Sequence, residues 1–158
     1  MTMQTFLPYP DFRESAKVLD MKRLGKQRVE AYQILCCLLG VSCMQWKNHP
    51  AVKMWVGHEY ALVDYIISIC QEWIGRGYCD TVLPKTIALV NAYMAKKKTF
   101  SKAKPWWVGN VEFHQSHQSN LIRKNSRYYK KDFPLIDPCL PYIWPIPEEE
   151  QHATLKSA

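Results

Sequence analysis

The chain of 158 residues is short of several things that would mark common protein classes. No apolar run approaches the ~20 residues that a helix needs to span a bilayer, so a membrane-spanning helix is not expected. Met1–Pro10 lacks a basic start and a continuous apolar stretch, so no secretory signal is expected. There is no CxxC and no Cys/His grouping with zinc spacing. Neither a glycine-rich phosphate loop nor a GxSxG elbow occurs. Internal repeats and alternating strand patterns are missing too. Acids are the scarcer charge, 14 Asp and Glu against 21 Lys and Arg, a formal net charge of +7.

What is present fits one ordered domain. Apolar residues make up 47% and charged residues 22%, which argues against disorder. The six cysteines (Cys36, Cys37, Cys43, Cys70, Cys79 and Cys139) have no secretion context. They are expected to be reduced and buried, in a cytoplasmic protein. Positive charge gathers in three clusters: 17–28, 96–104 and 123–131. With six Trp and nine Tyr in the chain, these clusters suit a polyanion that also offers flat faces for stacking.

Periodicity predicts an all-α, compact helical domain with long irregular connections. Pro8 and Pro10 keep the entry segment extended. A first helix is expected from about Phe12 to Leu39, capped by Asp11, with Gly25 as a kink or split. The second is expected from Pro50 to Trp73, capped by Asn48 or His49. A third runs from Pro84 to Ala95, and a fourth from Val111 to Tyr129 behind Asn110. The helical domain is placed at residues 1–131. Residues 132–158 hold five of the ten prolines and read as an irregular tail, packed in part through Leu135, Ile143 and Trp144.

Four groups of residues stand out as candidates for chemistry. Thr2 follows the initiator Met, whose removal would expose an α-amine with a reference pKa of about 7.7–8.0, a nucleophile able to attack a sugar C1′. Asp20, Arg23 and Gln27 share a helical face; the carboxylate would stabilise a sugar cation while Arg23, Lys26 and Arg28 met phosphates. Glu30 is the other nearby acid. On the last helix His114 and His117 are candidate proton-transfer groups, with Asn120, Arg123 and Lys124 as DNA contacts. Phe113, His117 and Leu121 also share the i, i+4 spacing of a core histidine. Asn48, His49, Trp106 and Trp107 complete the set, as a polar wall and as stacking groups. All are expected to line one hollow. No metal or other cofactor is called for.

The runs Thr5–Phe12, Leu19–Arg28, Asn48–Trp55 and Pro105–Gly109, with His114 and Arg123-Lys124, resemble the pyrimidine dimer DNA glycosylase family. The resemblance covers about residues 3–131 and is closest to the less characterised bacterial and phage branch. It implies an all-α monomer acting on damaged or modified pyrimidines in double-stranded DNA by base flipping, in DNA repair, as a glycosylase with AP lyase chemistry and no metal. It places the nucleophile at Thr2 and the basic DNA face on Arg23, Lys26, Arg123 and Lys124. The family's first-helix glutamate has no counterpart in the basic stretch Lys22–Lys26, and Asp20 is the nearest substitute. Two other functions fit the same residues: a non-catalytic nucleic-acid-binding module, and an enzyme acting on free nucleotides or nucleotide-derived signals.

Overall fold

The computed structural model describes residues 3–42, 44–96 and 98–146. Among them it is all-α, without a strand. The elements are α1 (Phe12–Val18), α2 (Met21–Leu38), a 3-10 turn (Met44–Trp46), α3 (Pro50–Lys53), α4 (Glu59–Gly75), α5 (Val82–Ala95), α6 (Val111–Lys124) and α7 (Ser126–Tyr129). No described helix is long and apolar enough to cross a membrane.

Three expected caps are made. The side chains of Asp11, His49 and Asn110 accept from Glu14, Ala51 and Phe113 N–H groups at the starts of α1, α3 and α6. The long helices, by contrast, are broken where local signals gave no warning. The first breaks at Leu19-Asp20, both extended, and not at Gly25. Tyr129 explains the position. Its hydroxyl accepts from Asp20 N–H at 2.9 Å and donates to the Asp20 carboxylate, fixing the extended residues from a point 109 positions away. Gly25 lies inside α2, where a Cβ would stand 3.1 Å from the Trp73 ring. It serves close packing of α2 on α4. The second helix is interrupted after Lys53 by a turn in which Gly57 takes φ +78°. Asn125 ends α6 and caps α7, splitting the fourth.

The core is the expected one in outline. Leu24, Ala31 and Leu35 of α2 meet Leu62, Tyr65, Ile66, Ile69 and Cys70 of α4, all fully buried. α4 packs on both α1 and α2, and α5 adds to the same side. Cys79 and Cys139 are exposed, against expectation. The described part of the tail is tied across α6: Leu140 and Ile143 N–H groups donate to Ser119 and Ser116 at 3.0 and 3.2 Å. Phe133 and Ile146 are buried, whereas Leu135, expected to pack, is 95% exposed.

Candidate functional site

The extended segment Met3–Pro8 is buried yet pairs with no strand. Its backbone polar groups are met by side chains instead, as burial requires. Gln27 on α2 supplies both an acceptor for Phe6 N–H at 2.9 Å and a donor to Gln4 C=O at 3.0 Å. Tyr65 on α4 donates to Phe6 C=O at 2.9 Å. His117 on α6 accepts from Leu7 N–H at 3.0 Å through Nδ1, and His114 Nδ1–H donates to Leu7 C=O at 2.7 Å. Gln118 donates to Pro8 C=O at 2.8 Å. At the outer end, Gln4 N–H donates to Glu30 Oε2 at 3.2 Å.

Glu30 lies at a cleft of about 130 Å³ lined by Gln4, Phe6, Lys22, Arg23, Lys26, Gln27 and Lys124. Lys22, Lys26 and Glu30 follow one another at i+4 along α2, which puts them on one face. Gln4 N–H and Gln27 Nε2 both donate to Oε2 of this carboxylate, the second at 3.4 Å. Burial raises the Glu30 carboxyl above its ordinary range, opposed by the Gln4 N–H and by Lys26 and Lys124. Lys124 is lowered, first by burial and then by repulsion from Arg23 and Lys26. Its ammonium lies 5.9 Å from the Phe6 ring centroid. A second, mostly apolar hollow of about 450 Å³ shares Lys22, Lys26 and Glu30 and is walled by Met21, Gly25, Val29 and Trp73. A larger groove of about 510 Å³, flanked by Arg13, Tyr60, Lys102 and Lys104, shares no residue with either.

The single hollow expected from the sequence is therefore only partly assembled. Arg23, Lys26 and Lys124 line it; Asp20, His49, His114 and His117 do not. Asp20 is held by Tyr129 and by Arg23 at 3.1 Å, as the hinge between α1 and α2. The ring nitrogens of His114 are both engaged, since Nε2 accepts from Gly109 N–H at 2.9 Å. His117 has no exposure, and burial lowers its pKa to about 3. His49 is half-buried between Trp46 and Trp144 and is lowered by burial. Asn48 is exposed. Asn120 donates to the Gln4 side chain at 3.2 Å and so braces the segment. Arg28 is bound to Asp80 and covers the Trp73 ring at 4.3 Å, which withdraws it from phosphate contact. Arg123 is exposed but ties down Pro138 and Leu140 carbonyls at 2.7 and 3.0 Å. Trp107 is buried against Trp55 and Phe113; Trp106 is 69% exposed. Thr2 lies outside the described residues.

Sequence reasoning passed over Glu30 as a centre. The signal was available in its i+4 and i+8 spacing from Lys26 and Lys22. Among the described residues no three His, Cys, Asp or Glu side chains gather as a metal-ligand set.

Fold and cleft together define a small all-α protein whose half-buried carboxylate sits among cations beside a tightly held extended segment. A family model described as pyrimidine dimer DNA glycosylase matches residues 3–85, just over half of the chain, and the chain belongs to that family. The matched range carries the extended segment, α1–α4 and Glu30, while Lys124 lies beyond it. Searches among curated proteins and among solved structures gave no match.

Proposed function

We propose that this chain is a DNA glycosylase that removes a damaged or modified pyrimidine from duplex DNA, with Glu30 as its working carboxylate. The observation that carries this reading is the carboxylate itself: held through Oε2 by Gln4 and Gln27, it lines a cleft with Lys22, Arg23, Lys26 and Lys124. Lys22, Lys26 and Lys124 would meet backbone phosphates. The apolar hollow beside Trp73 would take the extruded base, and exposed Trp106 would brace the gap in the stack.

The amine of Thr2 is the nucleophile in this reading. Gln4, two positions on, bonds to Glu30, which supports bringing the two groups together. The amine nitrogen would bond to C1′ as the glycosidic bond breaks and its electron pair leaves with the base. The ammonium proton would pass to Glu30, whose burial keeps its proton affinity above that of an exposed carboxylate. Glu30 takes the place that sequence reasoning gave to Asp20, because Asp20 is engaged by Tyr129 and Arg23. The sugar ring would then open, the C1′–O4′ electron pair leaving on O4′ and the proton on Glu30 passing to that oxygen, to give a C1′ imine from which lyase cleavage of the backbone can follow.

The test is incubation with a duplex carrying a single cyclobutane pyrimidine dimer, with and without borohydride. A covalent adduct on the N-terminal peptide is the expected result. Abasic product without an adduct would remove the amine route and leave a monofunctional glycosylase. Binding without excision would turn the reading to a non-catalytic nucleic-acid module.

A further inference from the structure

The basic cluster at 96–104 takes no part in the Glu30 cleft. The stretch from Lys98 to Trp107 is nevertheless pinned at both ends. Phe100 stacks on Tyr93 of α5, with ring centroids 4.9 Å apart and planes 3° from parallel, and Lys98 lies 5.3 Å over the Tyr93 ring. At the other end Pro105 and Trp107 are buried. Lys102 and Lys104 stand exposed between these anchors and line the groove of about 510 Å³, which shares no residue with either hollow at Glu30. That volume falls within the range of about 300–1,000 Å³ usual for ligand sites.

The facing wall is α4. Tyr60, Asp64, Ile67 and Gln71 follow at i, i+4, i+7 and i+11, one stripe of the helix about 16 Å long. Arg13 of α1 lines the groove as well. Among the described residues, none of Arg13, Lys102 and Lys104 has an ion-pair partner. Arg28 and Arg76, by contrast, are taken up by Asp80 and Glu72. Lys102 lies 5.7 Å over the ring of Tyr60, a residue 46% exposed. Of the two acids on the lining, Asp11 is engaged at the start of α1, where it accepts the Glu14 N–H at 2.9 Å. Asp64 is exposed, one turn beyond Tyr60.

Unpaired cations beside an uncovered ring fit a ligand that carries both phosphate and a flat face. A double helix offers the phosphates but keeps its base faces stacked inside. We propose that the groove along α4 binds an unpaired nucleic-acid strand, with phosphates at Arg13, Lys102 and Lys104 and a base stacked on Tyr60. Lys102 would leave the ring for a phosphate as the base takes its place. Asp64, at i+4 from Tyr60, would accept from the exocyclic amino group of that base, as carboxylates do for cytosine. An acidic peptide would satisfy the cations, but it would meet Asp64 as a like charge and leave the ring without a partner. The site lies apart from the Glu30 cleft and its test reads no excision, so it stands independently of the glycosylase reading.

The test is titration of the full chain with a fluorescent oligodeoxycytidine strand, followed by anisotropy and by amide NMR. The strand should shift the amides of Ala61, Ser68 and Ala103, and the complementary duplex should leave those three in place. Replacing both Lys102→Ala and Lys104→Ala should reduce the slope of log affinity against log salt by about 1.4, at about 0.7 for each phosphate contact to a single strand. Tyr60→Ala should weaken the strand about tenfold, the effect of losing one stacked base. Both variants change exposed side chains, so the thermal midpoint should stay at the wild-type value. Polyglutamate at an equal concentration of charge should not displace the strand. Shifts confined to Gln4, Lys22, Glu30 and Lys124 would overturn the proposal by placing the strand in the other cleft. So would the same groove shifts with duplex, wild-type affinity in Tyr60→Ala, an unchanged salt slope in the double variant, or displacement by polyglutamate.

Discussion

Acid should weaken this protein through one imidazole in particular. His117 is fully buried and neutral, with a pKa near 3 against the ordinary 6.5. In the unfolded chain the same ring takes a proton as pH falls through 6.5; in the folded protein it does not. The unfolded state therefore binds more protons, and stability rises with pH. The contribution is complete above about pH 7 and is lost progressively below 6.5. At 1.36 kcal/mol per pH unit, the loss by pH 5 is about 2 kcal/mol. For a domain of this size that corresponds to a fall of about 4–8 °C in the thermal midpoint. His49 and His114 are lowered too and add to the slope in the same direction. Comparison with His117→Asn separates the contributions. The Asn carbonyl can accept the Leu7 N–H in place of Nδ1 but does not titrate. Denaturant melts at steps between pH 8 and pH 5 should show a shallower slope in the variant, whatever its absolute stability. Equal slopes, or an imidazole resonance of His117 that titrates above pH 5.5, would refute the argument.

Three further outcomes follow from the geometry. Glu30→Gln should abolish excision while leaving duplex affinity within about twofold, read by gel shift and by release of the base; it keeps the shape of the side chain and removes its charge. Lys124→Ala should weaken binding to lesion and plain duplex alike and reduce the slope of log affinity against log salt by about 1. The paired indoles should behave oppositely. Trp107→Ala is expected to cost about 3–5 kcal/mol in denaturant melts. Trp106→Ala should stay within about 0.5 kcal/mol of the wild type and lower affinity only for the lesion duplex.

Much of the fold was legible because its signals are local. Asp11, His49 and Asn110 cap because short polar side chains reach N–H groups only two or three residues ahead. The apolar faces of α2 and α4 follow from 3.6-residue periodicity. The break at Leu19-Asp20 was not legible, because its cause is a tyrosine 109 positions away. The same limit governed the candidate site. The cationic rim from Arg23, Lys26 and Lys124 could be read from charge clustering. The spacing of Lys22, Lys26 and Glu30 could be read as well, but not the bond from Gln4 N–H to Glu30, which depends on where the extended segment crosses α2. For the histidines, the spacing Phe113, His117, Leu121 already allowed a core position, and Phe113 does pack on His117 at 4.4 Å. What spacing could not reveal is that both rings are backbone partners of a single distant residue, Leu7.

That arrangement has a practical corollary. The amide of Leu7 has a buried imidazole 110 positions away as its acceptor, and the stretch around it is fastened from α2, α4 and α6 at once. It cannot peel away as a frayed end without disturbing three helices. Its proton should accordingly exchange with solvent only on the timescale of complete unfolding. A fusion ahead of Met3 would join the chain one residue before the amide that donates to Glu30, so a handle at the other end is the safer choice.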